Sequence, residues 1–510
     1  MKPDAPASDE TSLWWNRRSV IAACILLALV PLVWPSIPPL VDVPGHMGRY
    51  AVQLDPAPFR DWYEFRWKLI GNLGVDLLME PLGRLLGVEL ATKLIVMAIP
   101  TLAIAGLLWI AREVHGRVPP TAFFALPLMW GHPFVFGFIN FTLAMAMALL
   151  GFALWLRMAR TGRAKWRPFV FLPLACIVWT AHTFGWGLLG LLCFSADLIR
   201  QRDSGKSWGA AAVGSALACL PMAVPLVPMI LWRSTATDMT GDWFDWGTKS
   251  LWVLTTLRDR WQGFDLLSLG VLVGVIIVAL RSPVLTFSRN LAVSALVLLA
   301  VYVLLPRIIF GSAYADMRLT PYLFAIAVIA IRPKPEAAAK FLGTLAAIGL
   351  VFFAARIGAH TASMGIASAR YDQALVALDH IPPHARVAAF TQRTCGVEWS
   401  TNRMEHLSAL VMVRRQGFSN DQWDVSGANL MTITKRDAPA FAVDPSQLIV
   451  AQSCGRGAPW MTPDEALAKL PRAAFNYVWL IDPPLYDVRL TAGMTPVWRE
   501  GRDVLYRIDR

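Results

Sequence analysis

Arg17-Arg18-Ser19-Val20-Ile21-Ala22-Ala23-Cys24-Ile25-Leu26-Leu27-Ala28-Leu29-Val30-Pro31-Leu32-Val33-Trp34, continued by Pro35-Ser36-Ile37-Pro38-Pro39-Leu40-Val41-Asp42-Val43-Pro44-Gly45-His46, decides how the rest of the chain is read. Ser19 to Trp34 is an apolar run of membrane length with two arginines ahead of it. Basic residues stay on the cytoplasmic side of a first span, so residues 1–18 are expected inside, with Asp42 and His46 just past the outer membrane surface. The Pro-rich exit carries no small-x-small cleavage site, which favours a retained anchor over a signal peptide. An acid held at such a surface has few uses, and taking a proton from an incoming substrate is one. The competing reading makes Asp42 the N-terminal cap of a helix over Val43–Arg49, with Pro44 in its first turn. Capping and catalysis are compatible.

Composition agrees with a polytopic membrane protein: 56% of residues are hydrophobic, 16% are charged and the mean hydropathy is +0.48. Trp14, Trp15, Trp34, Trp130, Trp179 and Trp232 fall near the ends of apolar runs, as an interfacial aromatic belt requires. The net charge of +12 sits in short loops, such as Arg157–Arg167, Arg200–Lys206 and Arg332–Lys340. That is topology and contact with anionic membrane lipid, so no nucleic-acid partner is expected.

About eleven spans follow from apolar runs of roughly 17–25 residues, with some shorter ones admitted. They cover approximately 19–36, 90–111, 119–131, 135–156, 168–181, 184–199, 208–231, 264–280, 290–306, 319–331 and 339–356. The basic loops all fall on one side. The 37–89 loop, the turns at Trp130–Phe134 and Thr180–Thr183, the stretches 232–263 and 307–318, and everything after Ser363 fall on the other. The fold class is therefore a membrane all-α bundle, residues 19–356, with a long first outer loop and a C-terminal soluble α/β domain over 364–510.

Within the outer loop, Asp61–Trp67 mixes charge with aromatics and reads as an interfacial segment, and Val75–Leu90 as an amphipathic helix. In the C-terminal region Arg386–Phe390, Gln447–Ala451 and Tyr477–Ile481 read as buried strands and Asp503–Ile508 as an edge strand. Thr462-Pro463-Asp464-Glu465 is a capping box opening a helix to Leu470. No Gly-rich phosphate loop accompanies these strands. Cys395 and Cys454, outside the cytoplasm, are a plausible disulfide, while Cys24, Cys176, Cys193 and Cys219 lie in apolar runs as small core residues. No Cys/His spacing marks a zinc site.

Several polar residues converge at the outer ends of the spans. Asp42 and His46 follow the first. His132 sits in a Gly-His-Pro turn with Asn140 shortly after, His182 in an Ala-His-Thr turn, and Asp316 and Arg318 ahead of the tenth span. The histidines serve either as helix caps or as ligand contacts. Arg318 reads either as a snorkelling residue or as a cation holding a phosphate at the membrane surface, with Asp316 orienting it.

This arrangement resembles the GT-C superfamily, polytopic glycosyltransferases such as the protein O-mannosyltransferases and lipid A aminoarabinose transferases. The resemblance spans essentially the whole chain, but its motifs are short. It implies a sugar donor on polyprenyl phosphate and a lipid, glycan or protein acceptor at the outer face of a bacterial inner membrane. It makes Asp42 the base, helped by His46, and places His132, Asn140, His182, Asp316 and Arg318 around the substrates. Many members carry two adjacent acids or Asp-x-Asp where this chain has Asp42-Val43-Pro44. That departure weakens a metal-assisted mechanism, so no cofactor is expected, with a divalent metal left open. A transporter or flippase is the alternative, although no internal repeat pairs the halves and mid-span charge is scarce. A non-catalytic envelope-assembly protein is another. A polysaccharide polymerase or ligase needs a main outer loop later in the chain, and 232–263 is short for that.

Overall fold

The computed structural model describes residues 13–233, 240–309, 313–395, 398–425, 429–454 and 460–509. The first apolar run is a helix in two pieces, α1 (Arg18–Leu27) and α2 (Val30–Val33), parted just before Pro31. A proline ring clashes with the carbonyl four residues back, which breaks the helix there. The long loop then holds α3 (Val43–Leu54), a short strand β1 (Tyr63–Phe65) and α4 (Gly74–Leu86).

The bundle continues through α5 (Val88–His115), α6 (His132–Phe136), α7 (Ile139–Arg160), α8 (Arg167–Ala181) and α9 (Thr183–Asp203). After α10 (Trp208–Cys219), α11 (Leu226–Arg233) and α12 (Trp246–Leu254) come α13 (Gln262–Arg281) and α14 (Arg289–Leu304). The last members are α15 (Thr320–Ile329) and α16 (Ala339–Leu375), and an antiparallel pair, β2 (Leu285–Phe287) with β3 (Ile331–Pro333), ties them together on one side. Among the described residues α5, α7, α9, α13 and the helical run starting at α16 are long and apolar enough to cross a membrane.

Three expectations change. The stretch 119–131 is not an ordinary span: Pro120–Trp130 is a 3₁₀ helix of 11 residues, all buried, packed against α15 and α16. At roughly 2.0 Å per residue it reaches about 22 Å, short of a bilayer core, and Pro120 and Pro127 deny it a regular α-helical ladder. Next, α16 does not stop near 356. Its 37 residues carry the chain some 55 Å, well past the expected domain start at 364. Finally, Asp61–Trp67, expected only as an interfacial segment, contains a strand: its Tyr-Glu-Phe alternation makes β1, whose Tyr63 is buried against Phe418 at a ring distance of 5.5 Å.

The amphipathic helix α4 is turned with its leucines outward. Leu77, Leu78 and Leu85 are exposed, while Asp76 is fully buried. Asp76 pairs with Arg49 of α3 at 3.0 Å and accepts from Asn140 of α7 at 2.9 Å. Val75 and Met79 share the buried face with Asp76, and Arg84 stays outside with the leucines.

The C-terminal sheet runs β5 (Phe418–Ser419), β4 (Arg386–Arg393), β8 (Tyr477–Ile481), β10 (Asp503–Ile508) and β9 (Met494–Glu500), with β7 (Leu448–Val450) beside the far end of β4. Strands β4, β5, β7 and β8 are mutually parallel, and β10 is antiparallel to both its neighbours. Asp503–Ile508 is therefore an inner strand, not an edge, because the β9–β10 hairpin adds one more strand outside it. Between β5 and β7 the edge of β4 is satisfied by Asn420, whose side-chain amide exchanges both hydrogen bonds with Ala389. The helix opened by the capping box, Pro463–Lys469, forms with both reciprocal bonds in place.

Two seams fasten this sheet to the bundle. Strand β1 of the first loop pairs antiparallel with β6 (Met431–Ile433). On the other side, Asp259 accepts from Arg403, from Ser363 of α16 at 3.0 Å and from His360 of α16 at 3.0 Å, while Arg356 pairs with Asp265 at 2.5 Å. Burial opposes charge on Asp259, but Arg403, with His360 and Ser363, holds its carboxyl well below the usual carboxylate range. Removing one partner from such a buried cluster strands the other charge. Arg403→Met is expected to cost about 3 kcal/mol, read as a lowered thermal midpoint in detergent, and the Asp259→Asn, Arg403→Met double substitution less.

Candidate active site

The Asp42 side of the bundle encloses a cavity of about 450 Å³. Its wall from the bundle includes Asp42, His46 and Arg49 of α3 and its approach, Asn140 and the ring of Phe138, and Arg318 ahead of α15. The sheet domain supplies the opposite wall: Arg393 at the carboxyl end of β4, Glu405, His406, Trp423 and Asp444.

Asp42 is held by its backbone. Its N–H donates to the Phe136 carbonyl at 3.0 Å. Gly137 has φ +102°, and a Cβ there would lie 2.7 Å from the Asp42 nitrogen, so only glycine permits this junction. Asp42 does occupy the cap position of α3, yet its backbone is already helical and its carboxylate makes no capping bond. The carboxylate instead faces the cavity, 8% exposed and 3.9 Å from His406 Nε2. Burial pushes its carboxyl up to about 7, Glu405 and Asp444 push the same way, and His406 and Arg318 pull it back. A carboxyl poised there can accept a proton at neutral pH.

Of the two arginines in the bundle wall, Arg49 is paired with Asp76, and Arg318 lies among aromatic rings. Its guanidinium lies over Phe138 at 4.4 Å, within reach of Phe141 and Phe184, and 3.5 Å from His182 Nε2. Burial brings it down to about 10, which leaves it charged at neutral pH. His182 is both cap and neighbour: its Nδ1 accepts from Phe184 N–H at 3.1 Å. Burial, with Arg318 beside it, holds its ring well below the usual imidazole range. Arg318 lines the cavity itself, where a guanidinium is the donor an anionic oxygen needs.

Other expected site residues are placed differently. His46 reaches the cavity, but burial, Arg49 and His406 hold its imidazole well below the ordinary range. A neutral His46 packed by Tyr50 and Trp423 offers a hydrogen bond, not charge, to a phosphate. Asp316 does not orient Arg318; it pairs with Lys249 of α12 at 3.2 Å and caps the turn at Met317. Asn140 lines the cavity while fixing α4, donating to Asp76 and accepting from Val75 N–H at 2.6 Å. His132 faces an adjoining cavity of about 300 Å³ with Arg258, Arg307 and Thr248, and burial, with Arg258 nearby, brings it down to about 3. The two cavities share Phe136, Tyr314, Arg393 and Glu405 in their walls. Cys395 and Cys454 are joined as a disulfide, Cα–Cα 5.1 Å, not far along the chain from Arg393 and Trp460. Among the described residues no group of three or more His, Cys, Asp or Glu side chains is arranged to hold a metal ion.

The residues that sequence reading misses are Arg49 and the sheet-domain set, Arg393, Glu405, His406, Trp423 and Asp444. None stands in a motif. Arg49 carried a signal all the same, as a cation one helical turn after His46.

No protein-family model matches the chain, and no curated protein matches it. Among solved structures the chain superposes on that of ArnT from Cupriavidus metallidurans bound to undecaprenyl phosphate, with a TM-score of 0.50 and 15% identity over 95% of this chain and 96% of that one. On the apo form of the same protein the TM-score is 0.51 and the identity 13%, over the same shares. At these identities the likeness concerns architecture alone: end to end, bundle, first loop and sheet domain together, the chain has the fold of ArnT.

Proposed function

We propose that the protein is a membrane glycosyltransferase that moves a sugar from polyprenyl phosphate to an acceptor hydroxyl. The reading rests on one observation above all: Asp42, the acid that opens the first loop, leaves its cap position unused and turns a poised carboxylate into a cavity that also holds a cation. In the reaction, Asp42 takes the proton from the acceptor hydroxyl as its oxygen attacks the anomeric carbon. The bond from that carbon to the phosphate oxygen breaks, and its electron pair stays on the lipid phosphate. Arg318 stabilises the added charge. The lipid tail lies along the apolar outer surface of the bundle near α4, and the acceptor, a lipid, glycan or protein, enters by the adjoining polar cavity under the sheet domain.

The assignment carries a topology with it: several passages through a bacterial inner membrane, the start of the chain cytoplasmic, and the site and residues 364–510 periplasmic. The basic loops support it, because all of them lie on the side away from Asp42. A donor site of this kind binds the carrier itself. Native mass spectrometry of the purified chain in nanodiscs is expected to show saturable retention of undecaprenyl phosphate over the uncharged polyprenol. Equal retention of the two would remove the phosphate site from the account.

A further inference from the structure

The sheet domain meets the bundle at Asp42 through a face suited to very close approach. The first turns of α3 present Gly45 and Gly48 to it. A Cβ on Gly45 would lie 2.6 Å from the Trp423 ring and 3.3 Å from His406 Cβ, and one on Gly48 2.9 Å from Met412 Sδ. Gln422 adds a hydrogen bond to the Gly45 carbonyl at 3.2 Å. The bare helix face lets the domain carry a histidine to the carboxylate.

His406 is 3% exposed and oriented by two contacts. Its Nδ1 lies 2.9 Å from the Asp421 carbonyl, and its ring packs on Trp423 with centroids 4.4 Å apart. A carbonyl can only accept, so Nδ1 carries a proton and Nε2 is the nitrogen left to face Asp42, 3.9 Å from Oδ1. We propose that Asp42 and His406 form a pair that shares one proton across the boundary between bundle and sheet domain, His406 being the positioning residue that keeps Asp42 available as a base. The pairing rests on the glycosyl-transfer reading for its purpose, though not for its test. With the proton on His406 Nε2, Asp42 is a carboxylate facing an imidazolium. The acceptor's proton then passes to Asp42 as the acceptor oxygen bonds to the anomeric carbon, and it leaves to water once the product has gone.

The charges around the ring agree with that role. Burial opposes an imidazolium, but Asp444, Asp42, Asp421 and Glu405 outweigh it and raise His406 above its ordinary range. Glu405 is itself paired with Arg393 at 3.7 Å, His46 lies across Trp423, and Arg318 acts on Asp42 from the bundle side. The sheet domain is in this view part of the catalytic apparatus and sets the protonation of a base it does not itself contain.

The test is a carbon-13 NMR titration of histidine rings in the full chain in lipid nanodiscs, the His406 signal being the one lost in His406→Gln. In the unsubstituted protein His406 is expected to titrate above an ordinary imidazole, and in Asp42→Asn roughly one pH unit lower. Asp42→Ser serves as a second variant with the same expected shift. An unchanged His406 titration in both Asp42 variants overturns the pairing. Turnover does not enter this measurement, so the two claims fail separately. Transfer that depends on Asp42 alongside an uncoupled His406 overturns the pairing and keeps glycosyl transfer. A coupled titration in a protein that transfers nothing supports the pairing and sinks the transfer reading.

Discussion

Asp42→Asn is expected to lower transfer about 10²–10⁴-fold while leaving the protein folded. The amide has the same shape and can keep the neighbours of the carboxylate, but it cannot take a proton from the acceptor. Its effect on stability has the opposite sign to that of a structural residue. Asp42 goes from an ordinary value of 3.8 up to about 7 through burial first. A carboxyl raised in this way binds its proton more tightly folded than unfolded, so folding stability falls as pH rises from about 4 to about 7, and the loss persists above that range. Asn removes this cost. At pH 8 the variant is expected to melt at or above the unsubstituted protein in a thermal-shift assay. A variant that is both inactive and clearly less stable would make Asp42 a structural residue. The same carboxyl gives the pH profile an acid limb, with transfer falling as pH drops below about 7.

The second large effect is expected at Arg318. Methionine keeps the length and apolar bulk that pack on Phe138, while deleting the charge. In the proposed reaction the leaving group is a phosphate that gains negative charge as the sugar departs, and one such donor is worth about 10²–10³-fold in rate. Arg318→Met is expected to lose transfer by that factor and to retain less undecaprenyl phosphate. Arg318→Lys should recover the binding better than the rate, because an ammonium replaces the charge without the planar fork that faces His182. A Met variant with unchanged rate would move the phosphate elsewhere in the cavity, Arg49 being the next cation in its wall.

Sequence reading went furthest where one residue's environment follows from its neighbours in the chain. Asp42 was placed by an apolar run and two arginines, and the capping box at Thr462 by four consecutive residues. It went wrong where tertiary packing overrides local pattern. The apolar stretch 119–131 has a span's composition, but its prolines and its burial among helices make it a 3₁₀ plug. The amphipathic pattern of α4 was legible, though not which face looks inward: Leu77, Leu78 and Leu85 are exposed, while Asp76 is buried beside Val75 and Met79. The partner of Asp316 could not be read either, since Lys249 comes from another helix 67 residues away. Half of the candidate site was beyond reach for the same reason. His406 lies 364 positions from Asp42 in a segment without motif, and only the folding of the sheet domain onto Gly45 and Gly48 brings the two together.

The claim at the centre of the account is sugar transfer from a polyprenyl carrier through Asp42. Its most direct test compares lipid-linked and surface glycans by mass spectrometry in cells carrying the unsubstituted chain, Asp42→Asn at matched membrane levels, and a deletion. One sugar is expected to be missing from its acceptor in both altered strains, with the corresponding polyprenyl-phosphate sugar accumulating. Glycans and carrier unchanged in both strains would contradict the claim.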